Sequence, residues 1–126
     1  MSGERTVSGR VLIVDDELRI REVLRDFLTM MGDEVATAAS GAEALKIVPM
    51  FQPDVILTDM VMPGMSGVDL LAALHCDGVT APVILISGHP IDLPEGFFNL
   101  LQKPFDLRKL AEVVTAAMDH RRTEGS

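Results

Sequence analysis

Three short apolar runs break off at polar residues: Val11-Leu12-Ile13-Val14 at Asp15-Asp16, Val55-Ile56-Leu57-Thr58 at Asp59, and Val83-Ile84-Leu85-Ile86 at Ser87. A continuous apolar run of this length, without alternation, suits a strand buried on both faces, as in the middle of a parallel sheet covered by helices on either side. The segments between the runs agree. From Glu17 to Met31, Ile20, Val23, Leu24, Phe27, Leu28 and Met31 recur at helical spacing, and Gly32 ends the pattern. Glu34–Ala38 reads as a weaker strand. Ser40, with Glu43 three residues on, predicts a capping box opening a helix whose inner face is Ala44, Leu45 and Val48.

Further along, Ser66 can cap a helix from Gly67 to about His75, striped by Leu70, Leu71 and Leu74. Pro90 and Pro94 disfavour a regular helix between His89 and Gly96, where a loop or one short turn is expected. Phe97–Leu101 reads as a last short strand. Asp106 then caps a helix reaching about His120, with Leu110, Val113, Val114 and Ala117 inside. The expected fold is a three-layer α/β sandwich: a five-stranded parallel sheet with right-handed crossovers and four or five helices. At 126 residues, with 48% hydrophobic and 24% charged, the chain has material for one compact domain and not for two with independent cores. Residues 1–9 read as a flexible lead-in, 10–120 as the domain and 121–126 as a frayed tail.

Composition narrows the function classes. A formal charge of -8 argues against direct binding to a nucleic-acid backbone. Cys76 is the only cysteine, so there is no disulfide framework and no Cys/His zinc spacing, and a reducing, cytoplasmic setting fits best. The N-terminus lacks the apolar core of a signal peptide, and no segment is long and apolar enough for membrane insertion.

In open α/β sheets, ligands gather outside the carboxyl ends of the strands. The residues that follow the strands are Asp15, Asp16, Asp59, Ser87 and, after the last strand, Lys103. Singly, each has an ordinary explanation: a helix cap, a turn residue, a loop hydroxyl, a solvated charge. Together they set three carboxylates against one ammonium, and a divalent cation with oxygen preference, Mg2+ or Mn2+, is the natural remedy. An ionised Asp beside such a cation can attack phosphorus to form an acyl phosphate, with Ser87 placed to hydrogen-bond the new phosphoryl group.

Val14-Asp15-Asp16, the segment Leu57-Thr58-Asp59-Met60-Val61-Met62-Pro63-Gly64-Met65-Ser66-Gly67, Ser87-Gly88 and Lys103-Pro104-Phe105 resemble the receiver domain of two-component response regulators. The resemblance covers roughly residues 10 to 120, in order and with each motif after a successive strand. It implies a flavodoxin-like fold and makes Asp59 the acceptor of a phosphoryl group from a histidine kinase or a histidine phosphotransfer protein. It also implies Mg2+ ligation by Asp16, Asp59 and the Val61 carbonyl, with Asp15 acting mainly through water. Ser87 corresponds to the switch hydroxyl, and Lys103 to the lysine that pairs with the phosphoryl group. Met60 and Gly88 line the site by their backbones, while Pro63 and Gly64 shape the loop after the acceptor. A monomer or weak dimer is expected.

The resemblance departs from the family pattern in two places. Leu100 stands three before the lysine, where the family usually has an aromatic switch residue, which leaves Phe97 or Phe98 to substitute through a shift of register. Lys103 follows Ser87 by only 16 positions, so the fourth helix is expected to be short or missing, along with any interface built on it. Compact Ser-Gly-His and Leu-Gln-Lys-Pro-Phe segments resemble receivers fused to hybrid kinases. Two other classes compete: a small aspartyl-nucleophile phosphatase, disfavoured because Val61 stands where a second Asp belongs, and a receiver-like interaction module independent of phosphate. No G-x-G-x-x-G fingerprint follows the first run, which disfavours dinucleotide binding. His89, two residues after Ser87, is placed to affect water access. Cys76 is expected to have no redox role.

Overall fold

The computed structural model describes residues 8–125, with side chains through Arg121. Most of the expected lead-in, residues 1–7, and Ser126 lie outside the described residues. The elements run β1 (Arg10–Val14), α1 (Leu18–Met30), β2 (Glu34–Ala38), α2 (Gly41–Phe51), β3 (Val55–Asp59), α3 (Gly67–Cys76), β4 (Val83–Ser87), β5 (Asn99–Gln102) and α4 (Leu107–Gly125).

The five strands form one parallel sheet in the order β2-β1-β3-β4-β5. Side chains alternate across it, as strand geometry requires. Val11, Ile13, Val55, Leu57, Ile84 and Ile86 join Leu24 and Leu28 of α1 and Leu110, Val114 and Ala117 of α4 in one core. Leu12, Val14, Ile56, Val83 and Leu85 join Ala44 and Val48 of α2 and Leu70, Leu71 and Leu74 of α3 in the other. Apolar burial on both faces is why β3 and β4 contain no exposed position. The result is the expected three-layer, flavodoxin-like sandwich with four helices, and no helix lies between β4 and β5.

Local sequence sets most of the helix starts. Ser40 accepts from the Glu43 amide at 3.1 Å, but the Glu43 carboxylate reaches back to the Ala39 amide, one residue beyond the cap that the expected box would close on. The full capping box forms instead at Ser66, where Asp69 answers both halves. Asp106 caps α4 by accepting from the Lys109 amide at 2.7 Å.

Two expected boundaries are corrected. The last strand starts at Asn99 and not at Phe97, because pairing with β4 begins only where the Phe98 amide reaches the Val83 carbonyl; Phe97 is buried as a loop residue in the second core. The last helix continues past His120 to Gly125, since residues 121–125 contain no proline and only a terminal glycine to stop it.

The connection from β3 to α3 closes unusually tightly. The Gly67 amide donates to the Met60 carbonyl at 2.9 Å, and a Cβ on Gly67 would stand 2.6 Å from the Asp59 carbonyl oxygen and 3.0 Å from Leu85. These contacts involve backbone and a packed core side chain, neither of which can yield cheaply. Gly67→Ala is therefore expected to lower stability by about 1–3 kcal/mol, the usual cost of overpacking, as read by urea unfolding. A midpoint equal to that of the parent would show that the turn has slack.

Candidate functional site

The strand order reverses between β1 and β3: the chain leaves β1 toward β2 at one edge, whereas β3 leads on to β4 and β5 at the other. Connections that diverge to opposite sides leave a crevice at the carboxyl ends of these two strands. Asp15 and Asp16 directly follow β1, and Asp59 is the last residue of β3. Carboxylate oxygens of all three lie within 4.8 Å of one another.

Lys103 reaches the same crevice from the end of β5. Its Nζ stands 3.8 Å from Asp59 Oδ2 and 4.0 Å from Asp15 Oδ2. These separations are Coulombic contacts longer than hydrogen bonds, so the ammonium flanks the carboxylates without closing on either. The Lys103–Pro104 peptide is cis. The Lys103 amide donates to the Ser87 carbonyl at 2.7 Å, which ties the end of β5 to that of β4.

Asp15 is fully buried and held on several sides. Its amide donates to the Ala38 carbonyl at 3.1 Å, its Oδ1 accepts from the Glu17 amide at 2.9 Å, and its carbonyl accepts from the Arg21 guanidinium at 2.7 Å. Its Oδ2 is buried without a hydrogen-bond partner among the described residues. A buried carboxylate oxygen left in this way is costly unless something binds it. Burial is the main cause that pushes the Asp15 carboxyl above its ordinary range, opposed by the Glu17 amide and reinforced by Asp59. Burial likewise raises Asp59, against the pull of Lys103 and of the Met60 and Val61 amides. Asp16 is exposed at the mouth.

The donor set fits a small divalent cation: three carboxylates, one with an orphaned buried oxygen, and an all-oxygen environment open to water on the Asp16 side. Val61 lies in the loop beyond β3 with its side chain 70% exposed. Ser87 is buried at the end of β4, and its hydroxyl is engaged locally: it donates to the His89 carbonyl at 2.8 Å and accepts from the His89 amide at 3.1 Å. Leu100 is half-buried against the second core. Leu100 pairs with Leu85 and β5 begins only at Asn99, so no shift of register brings Phe97 or Phe98 into its place; Phe98 packs in the first core, its ring 5.2 Å from that of His120.

Fold and site together define a doubly wound α/β protein with an acidic, lysine-flanked pocket at its switch point. The family model of the response regulator receiver domain matches residues 11–115, and the chain belongs to that family. It is 37% identical over 114 residues to the transcriptional regulatory protein KdpE of Mycobacterium tuberculosis, covering 86% of this chain and 50% of the relative. To the DNA-binding transcriptional regulator NtrC of Escherichia coli it is 37% identical over 119 residues, covering 89% and 25%. The chain thus spans half or less of the length of these curated relatives.

Among solved structures, a response regulator receiver domain from Clostridium thermocellum superposes with a TM-score of 0.84 at 31% identity, covering 90% of this chain and 97% of that one. The response regulator TrrA of Thermotoga maritima, crystallised in complex with Mg2+ and BeF, gives a TM-score of 0.78 at 31% identity, covering 86% and 97%. Receiver domains are phosphoacceptors that bind Mg2+ at an acidic pocket and work with histidine kinases or phosphotransfer proteins. No helix among the described residues is long and apolar enough to cross a membrane.

Two residues near the pocket have roles that the sequence did not disclose. Gly67 carried a visible signal, a glycine directly after a capping serine, yet its close approach to the Asp59 backbone depends on how the loop closes. Arg21 carried none, because a contact from a helical arginine to a carbonyl six residues earlier follows no local pattern.

The raised carboxyls have a consequence for stability. An Asp whose pKa is higher in the folded than in the unfolded chain keeps its proton longer when folded. Its folded-state advantage is present below the ordinary value of 3.8 and is lost as pH rises through the raised folded value. The metal-free protein is therefore expected to lose stability as pH climbs through that window. At neutral pH in EDTA, Asp59→Asn should be more stable than the parent by on the order of 1 kcal/mol, through relief of like-charge repulsion at this range. Thermal unfolding with and without Mg2+ checks this, and a less stable Asn variant in EDTA would contradict it.

Proposed function

We propose that this chain is the phosphoryl-accepting module of a two-component or phosphorelay system, with Asp59 as the acceptor. The single observation that carries the residue assignment is the convergence of Asp15, Asp16 and Asp59 within 4.8 Å, flanked by Lys103. An Asp59 carboxylate oxygen attacks the phosphorus of a phosphohistidine; the new P–O bond forms as the P–N bond breaks, and the imidazole leaves with the electron pair. Lys103 stands where it can balance negative charge on the transferred oxygens, and the Met60 and Val61 amides help to hold the Asp59 carboxylate ionised. Asp15, Asp16 and Asp59, with the Val61 carbonyl, would hold Mg2+, or Mn2+ in its place, and the cation supplies charge neutralisation at the phosphoryl oxygens. Ser87 is assigned the switch hydroxyl.

Output lies in binding and not in turnover. The phosphoryl group biases a two-state arrangement through contacts available in one state only. With a net charge of -8, the module itself is assigned no contact with nucleic acid and no membrane insertion, a cytoplasmic setting and a monomeric or weakly dimeric state. Incubation with a phosphorylated kinase domain and Mg2+ should label about one phosphate per chain, abolished in Asp59→Ala. Sustained release of phosphate from phosphomonoesters would favour the phosphatase reading instead.

An apolar groove of about 520 Å3 adjoins the pocket, lined by Ile20, Val23 and Leu24 of α1, by Pro104, Phe105 and Leu107, and by Lys103 itself. Because Lys103 borders both, a kinase helix carrying its histidine over Asp59 would lay its apolar face here. Val23 is 53% exposed, so Val23→Asp should leave the fold intact. It should slow transfer from the kinase about tenfold, the effect of losing about 1.4 kcal/mol of docking energy, while beryllofluoride still binds. Equal transfer rates would place the docking face elsewhere.

A further inference from the structure

We infer that Arg21 is a positioning residue for the cation pocket, acting through the backbone of the acidic doublet. This rests on the reading that Asp15, Asp16 and Asp59 hold Mg2+. The Arg21 guanidinium donates to the carbonyl oxygen of Asp15 at 2.7 Å. That carbonyl belongs to the peptide joining Asp15 to Asp16, so holding it fixes the plane from which the Asp16 side chain departs. The other ties on Asp15, through its amide to Ala38 and through Oδ1 to Glu17, secure the residue but leave this peptide free to tilt.

Among the described residues, no other local contact is made to this carbonyl. Glu17, the residue before α1, makes no side-chain cap, and the first turn of that helix contains no acidic residue. Arg21 lies one turn into α1, where its amide closes on the Glu17 carbonyl at 3.1 Å. Its side chain is half-buried, which limits the guanidinium's freedom to leave the carbonyl. The helix is thereby tied to the metal-facing turn by a side chain reaching back over it. Residues that orient metal ligands from behind typically alter metal affinity 10- to 100-fold when removed.

Charge and position predict opposite signs. As a nearby cation, Arg21 repels Mg2+, and its removal should tighten binding. As a positioning residue, its removal should weaken binding.

Mg2+ titrations followed by amide NMR shifts of Met60 and Val61, on the whole chain, separate the two. Thermal unfolding in EDTA runs in parallel. The expected result is a Mg2+ Kd at least about tenfold weaker in Arg21→Ala, with most of the affinity recovered in Arg21→Lys, which keeps the charge and a donor of similar reach. An Arg21→Ala Kd within about twofold of the parent, or a tighter one, overturns the inference even if unfolding occurs at a lower temperature. If Arg21→Ala does not fold, Arg21→Met, which keeps the aliphatic stem and loses the donor, decides: a Kd about tenfold weaker supports positioning, and a parental or tighter Kd overturns it. A parent chain that binds no Mg2+ at all overturns the pocket reading itself and the inference with it, an outcome distinct from the others.

Discussion

Like charges held together out of water are the constraint around which this molecule is organised. Asp15 and Asp59 are buried at the ends of adjacent strands, Asp16 stands at the mouth, and one ammonium nearly 4 Å away from two of them supplies the compensation. Such an arrangement works against folding. It persists because the two hydrophobic cores on either face of the sheet hold β1 and β3 in register regardless of what their ends carry. The cores supply the stability and the crevice spends part of it, which is how pockets with an appetite for cations and phosphoryl groups are commonly built.

The sheet was legible because its central strands are unusually unambiguous. Val11–Val14 and Val83–Ile86 are apolar at every position, which only a strand covered on both faces can use. Once those strands were placed, the site followed, since the polar residues ending them had to meet at one edge. The weaker strand at Glu34–Ala38 was also correctly located; as an edge strand it is only partly buried, and its sequence is correspondingly mixed.

What stayed hidden was set by three-dimensional closure. Phe97 looks like a strand residue and is buried like one, but its apolar character serves loop packing against the α2–α3 side of the sheet. Ser40 and Ser66 are near-equivalent as caps in sequence, and the complete box forms at the second because Asp69, shorter than Glu43, returns to the cap's own amide. The reach of Arg21 to Asp15 depends on the path of the turn between β1 and α1, which no spacing rule encodes.

The stretch from Gly88 to Phe98, where a fourth crossover helix would otherwise run, is a loop opened by the paired contacts between Ser87 and His89. A hydroxyl has a single proton to give, and here the His89 carbonyl holds it. Any oxyanion arriving above Asp59 that claims this proton must leave that carbonyl to seek water or another amide. Chemistry at the carboxylate would then be felt first by a helix-free strap, whose few backbone hydrogen bonds make rearrangement inexpensive.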